Sequence, residues 1–284
     1  MCSSDLARRD VVGVGHDVFA RALDDRANGA GEAALHTDPH TDPHTDPFRH
    51  LPHLREHIAP AHRSALRVTP QLLAQWDAQA REQGRGEDWR LGDAQLEATR
   101  AALLGSLDRG AALWVFGYGS LTWDPGFHFD EVRMAELPGY RRRFGLRTTL
   151  GRGSPETPGL MLTLEPGQGA CAGLGFRIGA ASVAHESGML WRREMIRDGY
   201  RPCLLPLRTP QGEVTALVFA ANPAHADHVG ALPLQEAAAI IAHAAGMMGR
   251  NRDYLEQLVA QLAHLGIADD YLDALLRQVR RHGS

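Results

Sequence analysis

A glycine-rich segment, Phe116-Gly117-Tyr118-Gly119-Ser120-Leu121, follows directly on a short apolar run. Glycines on either side of a tyrosine let the backbone turn sharply and bring several N–H groups close to a ligand. Beside a serine hydroxyl, such N–H groups would cradle a carboxylate or a phosphate. The segment lacks the Gly-Lys-Ser/Thr of a P-loop, the third glycine of a dinucleotide fingerprint and the spacing of a nucleophile elbow. Residue types alone also fit a plain turn, so both interpretations stay open.

A second candidate for chemistry is Glu194. Large apolar residues surround it in the sequence: Leu190, Trp191, Met195 and Ile196. On a helix, Leu190 and Trp191 share a face with Glu194. Burial on such a face raises the pKa of a carboxylate, which suits a general acid–base group working near neutral pH. The alternative is a surface ion pair with Arg193 or Arg197, and Arg193 is expected on the solvent side of this helix.

The elements that must position these residues are predicted from hydrophobic spacing and turn residues. Strands are predicted at residues 113–117, 132–137, 144–149, 160–164, 172–178, 203–207 and 214–220. Helices are predicted at residues 181–197, 234–245, 251–265 and 271–281, with two more between residues 69 and 108. Many short strands in series, with helices grouped late, favour an α+β fold with a curled sheet or small barrel.

Composition excludes several classes of function. The 284 residues include 34 acidic and 30 basic ones, a net charge of -4 that gives no basic face for nucleic acid. The sequence has no lysine, which excludes Schiff-base and lysine-base chemistry. Cys2, Cys171 and Cys203 form no close pair, as is typical of a reducing compartment. Without a long apolar stretch or a signal peptide, the sequence predicts a cytoplasmic protein that does not enter membranes.

Three regions are predicted along the chain. Residues 1–62 form a His/Asp/Pro-rich tail, expected to be disordered, in which His-Thr-Asp-Pro is repeated three times at residues 36–47. Its histidines suggest zinc or nickel binding, but periodic histidines without fixed supporting contacts give weak, unselective sites. Residues 63–110 are predicted to be a helical extension, and residues 111–284 a catalytic domain. No metal site is predicted anywhere.

Four motifs in order resemble the ChaC family, the glutathione-specific γ-glutamylcyclotransferases. They are the segments at residues 114–121, 139–144, 190–195 and 249–255, within a resemblance that covers about residues 113–282. The resemblance implies the γ-glutamylcyclotransferase-like fold, a small β-barrel flanked by helices. It leaves the disordered and helical N-terminal extension uncovered.

The resemblance also implies the reaction and its residues. Glutathione would be the substrate, its α-amine attacking its own γ-carbonyl to give 5-oxoproline and Cys-Gly, with Glu194 as the catalytic acid–base group and no metal or organic cofactor. The expected substrate-binding residues are Val115, Phe116, Gly117, Tyr118, Gly119, Ser120, Leu121, Arg142 and Tyr254. Arg142 would pair with the glycine carboxylate of glutathione, although an arginine in a solvated turn fits equally, and Tyr254 fits a core aromatic equally. Two alternatives remain: a cyclotransferase for other γ-glutamyl amines or amino acids, and a non-catalytic regulator of cation transport. The sequence does not indicate an oligomeric state.

Overall fold

A closed five-stranded β-barrel lies at the centre of the computed structural model, which describes residues 45–82, 84–108 and 110–282. All of these residues fall in one of two units of the chain, His40–Ser284, and the other, Met1–Pro39, lies outside the described residues. The barrel strands are β1 (Leu113–Gly117), β2 (Glu131–Thr148), β3 (Gly159–Ile178), β4 (Tyr200–Thr209) and β5 (Gly212–Ala221). Their order around the barrel is β1-β3-β2-β4-β5.

The pairing is antiparallel at every step except the last, where β5 meets β1 in parallel. Trp114 pairs with Ala216 and Val115 with Leu217 at this closure. Closing the sheet removes its exposed edges and encloses a core of aliphatic and aromatic side chains. The predicted α+β fold with a small barrel is confirmed.

Two barrel strands are longer than the sequence predicts. The breaks expected between residues 137 and 144 and between 164 and 172 do not occur, because the Pro/Gly residues there form bulges instead of turns. The register shifts between Pro138 and Tyr140, and the glycine between them has φ of 75°, a left-handed conformation that suits glycine. A bulge bends the paired strands without ending them, which helps a long hairpin to curl into a barrel.

The described part of the chain also contains six α-helices. They are α1 (Pro70–Glu82), α2 (Asp93–Leu104), α3 (Val183–Glu194), α4 (Leu234–His243), α5 (Asn251–His264) and α6 (Asp270–His282). Helix α3 ends at Glu194, earlier than predicted, whereas α4, α5 and α6 follow the predicted spans closely. A two-stranded hairpin, β6 (Ala245–Gly246) with β7 (Gly249–Arg250), joins α4 to α5. In the described part of the chain, no helix has the length and apolar character needed to cross a membrane.

Residues 45–68, here called the N-terminal strap, correct the prediction of a disordered tail over residues 1–62. Phe48, Leu51, Leu54 and Ile58 are buried in the same core as the barrel residues. The strap also joins the barrel through the N–H of Val132, which donates to the carbonyl of Pro47. These apolar residues are spaced three or four positions apart, but the surrounding His and Pro residues concealed the pattern. The repeat up to residue 44 lies outside the described residues.

Candidate active site

The glycine-rich loop (residues 117–121) leaves β1 and enters a short 3-10 helix, Ser120–Thr122. A Cβ atom on Gly119 would lie 3.1 Å from Cδ2 of Leu162 and 3.2 Å from the hydroxyl oxygen of Tyr254, so the close packing of this backbone favours glycine. Three successive backbone N–H groups have no acceptor among the described residues: Gly119, Ser120 and Leu121. These free donors are compatible with an anion cradle, one of the two interpretations of the sequence, and anion binding by this loop stays a prediction.

Four side chains expected in the substrate-binding set instead anchor this loop in the core. Val115, Phe116 and Leu121 are buried among barrel residues. The Tyr118 ring is also buried, and its hydroxyl donates to the carbonyl of Phe219 over 2.8 Å. These side chains therefore fix the course of the backbone. The groups of the loop that can still contact a ligand are its backbone and Ser120.

Arg142 does not have the role that was expected of it. Its side chain is 2% exposed, and its Nε donates to the carbonyl of Tyr118 over 2.7 Å. The two terminal nitrogens contact the carbonyl of Ala172 and, at 3.3 Å, the carboxylate of Asp269. A guanidinium enclosed by three protein acceptors is not available to a substrate carboxylate. Arg142 supports the glycine-rich loop from below, by holding the peptide group between Tyr118 and Gly119.

Glu194 is the last residue of α3, and 17% of its side chain is exposed. Burial raises the pKa of this carboxyl group, and the neighbouring Arg193 partly offsets the rise. The raised pKa expected from the apolar neighbours is thus confirmed. Most of the side chain is shielded from water, as suits a general acid–base group.

The sequence analysis expected Arg193 on the solvent side of α3. The structure contradicts this, because the Arg193 side chain is only 9% exposed. Its Nε lies 3.0 Å from the Glu194 carboxylate, and its Nη2 donates to Oγ of Ser120 over 2.9 Å. Its Nη1 donates to the carbonyl of Asp124 over 2.6 Å. One guanidinium therefore joins the catalytic candidate to the glycine-rich loop. The sequence analysis named Arg193 as a possible ion-pair partner of Glu194, and this pair is present, but the contact with Ser120 was not expected.

Tyrosines surround the Glu194 carboxylate on the other sides. Tyr254 lies on α5, where the Asn251 side chain bonds both the N–H and the carbonyl of Leu160 and so fixes the start of this helix against β3. Tyr200 begins β4, and its hydroxyl donates to the carbonyl of Leu162. Burial and the nearby carboxylate raise the pKa of both tyrosines well above the ordinary value, so their hydroxyls stay protonated. Sequence analysis did not single out Tyr200.

Arg152 is a further residue that sequence analysis missed. It lies in the connection between β2 and β3, with its guanidinium carbon 5.8 Å from the centre of the Tyr254 ring. Its Nη1 contacts the carbonyl of Arg250 over 3.4 Å, and no carboxylate of the described chain forms an ion pair with it. Partial burial lowers its pKa, although an arginine remains charged. The site therefore contains one cation without a counter-ion among the described residues.

The donor set does not resemble a metal centre. Among residues 45–82, 84–108 and 110–282, no three His, Cys, Asp or Glu side chains are grouped so that they could hold a metal ion. The two cysteines in this part of the chain, Cys171 and Cys203, are free thiols whose pKa is raised by burial. Such thiols are poor nucleophiles near neutral pH. The chemistry of the site rests on one carboxylate, two arginines, hydroxyls and backbone N–H groups.

The sequence and the fold of this chain are similar to those of known proteins. Residues 113–282 match a family model described as ChaC-like protein. A glutathione-specific γ-glutamylcyclotransferase of Escherichia coli K12 is 38% identical over 188 residues, which make up 66% of this chain and 81% of that protein. Glutathione-specific γ-glutamylcyclotransferase 1 of Rattus norvegicus is 34% identical over 59% of this chain and 78% of its own. A crystal structure of a yeast γ-glutamyl cyclotransferase specific to glutathione has a TM-score of 0.56 at 24% identity, covering 61% of this chain and 100% of that one.

Proposed function

This chain belongs to the ChaC-like protein family, and from that premise we propose that it cleaves glutathione by cyclising the γ-glutamyl group. The products are 5-oxoproline and cysteinylglycine. The α-amine nitrogen of the substrate forms a bond to its own γ-carbonyl carbon, and the bond from that carbon to the cysteine nitrogen breaks. One proton moves from the attacking amine to the leaving nitrogen, so the reaction needs no water, oxidant or cofactor.

The observation that supports this proposal best is the position of the mostly buried Glu194 carboxylate, which Arg193 joins to the glycine-rich loop. Glu194 takes a proton from the attacking amine and delivers it to the leaving nitrogen. General acid–base catalysis of this kind raises a reaction rate about 10²–10⁴-fold. The free N–H groups of Gly119, Ser120 and Leu121 bind the α-carboxylate of the substrate. Because the reaction is intramolecular, holding the amine near the γ-carbonyl supplies much of the rate.

We assign Tyr254 as the hydrogen-bond donor to the γ-carbonyl oxygen of the substrate. Its hydroxyl faces Gly119, has no hydrogen-bond partner among the described residues and stays protonated because its pKa is raised. A neutral donor at this point stabilises the negative charge that develops on the oxygen as the amine attacks.

We assign Arg152, and not Arg142, as the residue that binds the glycine carboxylate of glutathione. It is the half-buried cation of the site without an ion-pair partner in the described part of the chain, whereas Arg142 is enclosed by protein acceptors. A planar guanidinium matches a carboxylate well, and a charge-assisted bond of this type contributes about 1.5–3 kcal/mol. This contact would distinguish glutathione from γ-glutamyl compounds that lack a carboxylate at that distance.

The test is incubation of the full chain with reduced glutathione, with 5-oxoproline and cysteinylglycine measured separately over time. γ-Glutamyl-alanine and γ-glutamylcysteine serve as competing substrates. Equal amounts of both products from glutathione, formed at least tenfold faster than 5-oxoproline from the shorter substrates, are expected. A faster reaction with γ-glutamyl-alanine would favour a cyclotransferase for other γ-glutamyl compounds, and no product at all would favour a non-catalytic protein. The free thiols of Cys171 and Cys203 suit the reducing cytoplasm, where we propose that the protein acts.

A further inference from the structure

Arg67 lies in the N-terminal strap, outside the segment that matches the family, yet it makes a buried ion pair with helix α3. Its Nη1 and Nη2 lie 2.6 Å and 3.0 Å from the two carboxylate oxygens of Glu186. The side chains are 15% and 4% exposed, respectively. Such a two-pronged pair fixes direction as well as distance, which a lysine in place of this arginine does not.

The same guanidinium also holds the chain that follows the glycine-rich loop. Arg67 Nη1 donates to the carbonyl of Gly126 over 3.0 Å, and the N–H of His128 donates to the Glu186 carboxylate over 3.0 Å. Residues 124–128 are thus tied to α3 near its start by Glu186 and near its end by Arg193, which holds the carbonyl of Asp124.

Gly126 lies in the middle of the segment that these two sets of contacts hold. A Cβ atom on Gly126 would lie 3.0 Å from the carbonyl oxygen of Leu66 and 3.1 Å from Nη1 of Arg193. Its φ of 72° is a left-handed conformation that other residues rarely adopt. The backbone at Gly126 therefore lies closely packed between the strap and the guanidinium that contacts Ser120 and Glu194.

We propose that Arg67 is a positioning residue for catalysis: it holds Gly126 against Arg193 and thereby keeps the Arg193 guanidinium between Ser120 and Glu194. The inference rests on the proposed function, in which Glu194 is the acid–base group. It extends the active site to a part of the chain that the family match does not include. The strap and the catalytic domain then form one functional unit.

The effect on Glu194 has a defined sign. The groups that face its carboxylate are Arg193 on its own helix, Tyr118 after β1, Tyr200 on β4 and Tyr254 on α5. The tyrosines are neutral, so Arg193 is the charge that favours the ionised carboxylate. Loss of Arg67 loosens Arg193, raises the pKa of Glu194 and moves the acidic limb of the pH–rate profile to higher pH.

The experiment compares Arg67→Met with Arg63→Met, a matched control at an exposed arginine of the strap. kcat and KM for glutathione are measured across pH in the full-length protein. The Glu194 carboxyl is also titrated by carbon-13 NMR without substrate, its signal assigned by its absence in Glu194→Gln. In Arg67→Met, kcat/KM is expected to fall about 10- to 100-fold. The Glu194 titration and the acidic limb are expected to move up together, while Arg63→Met matches the wild type.

Two results would overturn the proposal. One is an Arg67→Met protein whose Glu194 titration and acidic limb equal those of the wild type, because a purely structural loss lowers the amount of active enzyme without moving either. If Arg67→Met does not fold, Arg67→Lys provides the test, since a lysine keeps one bond to Glu186 and loses the contact with Gly126. The second result that would overturn the proposal is an Arg67→Lys protein in which Glu194 titrates as it does in the wild type. Because the titration uses no substrate, it decides the matter even if glutathione is not cleaved.

Discussion

Replacing Glu194 with glutamine separates the chemical role of this carboxylate from its effect on stability. Glutamine has nearly the same shape, and its amide oxygen still accepts a hydrogen bond from Arg193. It cannot take up or deliver a proton at neutral pH. The loss of general acid–base catalysis should slow the reaction about 10²–10⁴-fold, which corresponds to about 2.7–5.5 kcal/mol in the activation barrier.

The same change is expected to stabilise the folded protein or leave its stability unchanged. Burial raises the pKa of Glu194, so at neutral pH the folded state bears the cost of holding a charge away from water. Each tenfold change in the dissociation constant corresponds to about 1.4 kcal/mol of unfolding free energy. The cost is full above the raised pKa of the folded state. It disappears as the pH falls to the ordinary value of 4.5, where the carboxyl group is protonated in both states.

The assay combines steady-state rates with thermal unfolding from pH 4.5 to 8. Glu165→Gln is the matched control, because Glu165 is similarly buried but pairs with His228, and the proposed mechanism uses neither residue. The control is expected to keep its activity and lose stability, the opposite pattern. Activity of Glu194→Gln within fivefold of the wild type would refute the catalytic role. If Glu194→Gln lowered the melting temperature relative to the wild type, and did so more at pH 8 than at pH 4.5, the electrostatic explanation would be refuted.

Three other substitutions test other parts of the structure. Arg152→Met should lower kcat/KM for glutathione about 10- to 100-fold, mainly through KM, with an unchanged melting temperature; an unchanged KM in steady-state kinetics would contradict the assigned carboxylate contact. Arg142→Met should lower the unfolding free energy in urea by about 3–5 kcal/mol, because Asp269 loses its buried cation. It should not change the preference for glutathione over γ-glutamyl-alanine, so a changed preference would return Arg142 to the substrate. Leu54→Ala should lower the unfolding free energy by about 2–5 kcal/mol, and a loss below 1 kcal/mol would mean that the strap is not part of the core.

The parts of the site that were predictable from the sequence carry local signals. The apolar run before the glycine-rich loop marks β1, and the apolar neighbours of Glu194 indicate a raised pKa. Arg142 illustrates the limit of this reasoning. An arginine in a run of three arginines predicts an exposed cation, but alternation along β2 turns Arg142 inward, where carbonyl groups and Asp269 satisfy it.

The other arginines show why some contacts were not predictable at all. Arg152 reaches the site from the connection between two strands, and Arg67 contacts Gly126 and helix α3 from a segment outside the family motifs. Neither position is specified by residue spacing, because both depend on how distant segments meet after folding. The strap was missed for a related reason. A few buried residues such as Leu54 form no long periodic element, and short elements give little signal in sequence.

The parallel closure of the barrel has a consequence for folding, because we expect it to form late. Strand β1 is the first barrel strand to be synthesised, but its parallel partner β5 follows roughly one hundred residues later, as the pairing of Trp114 with Ala216 shows. Contacts so distant in sequence form slowly, since the chain must close a long loop before they stabilise it. The glycine-rich loop follows directly on β1, so we expect it to reach its final conformation only when this closure has formed. A nascent or truncated chain that ends before β5 contains Glu194 and the loop sequence but lacks the closing strand, so we expect activity only after the barrel has closed.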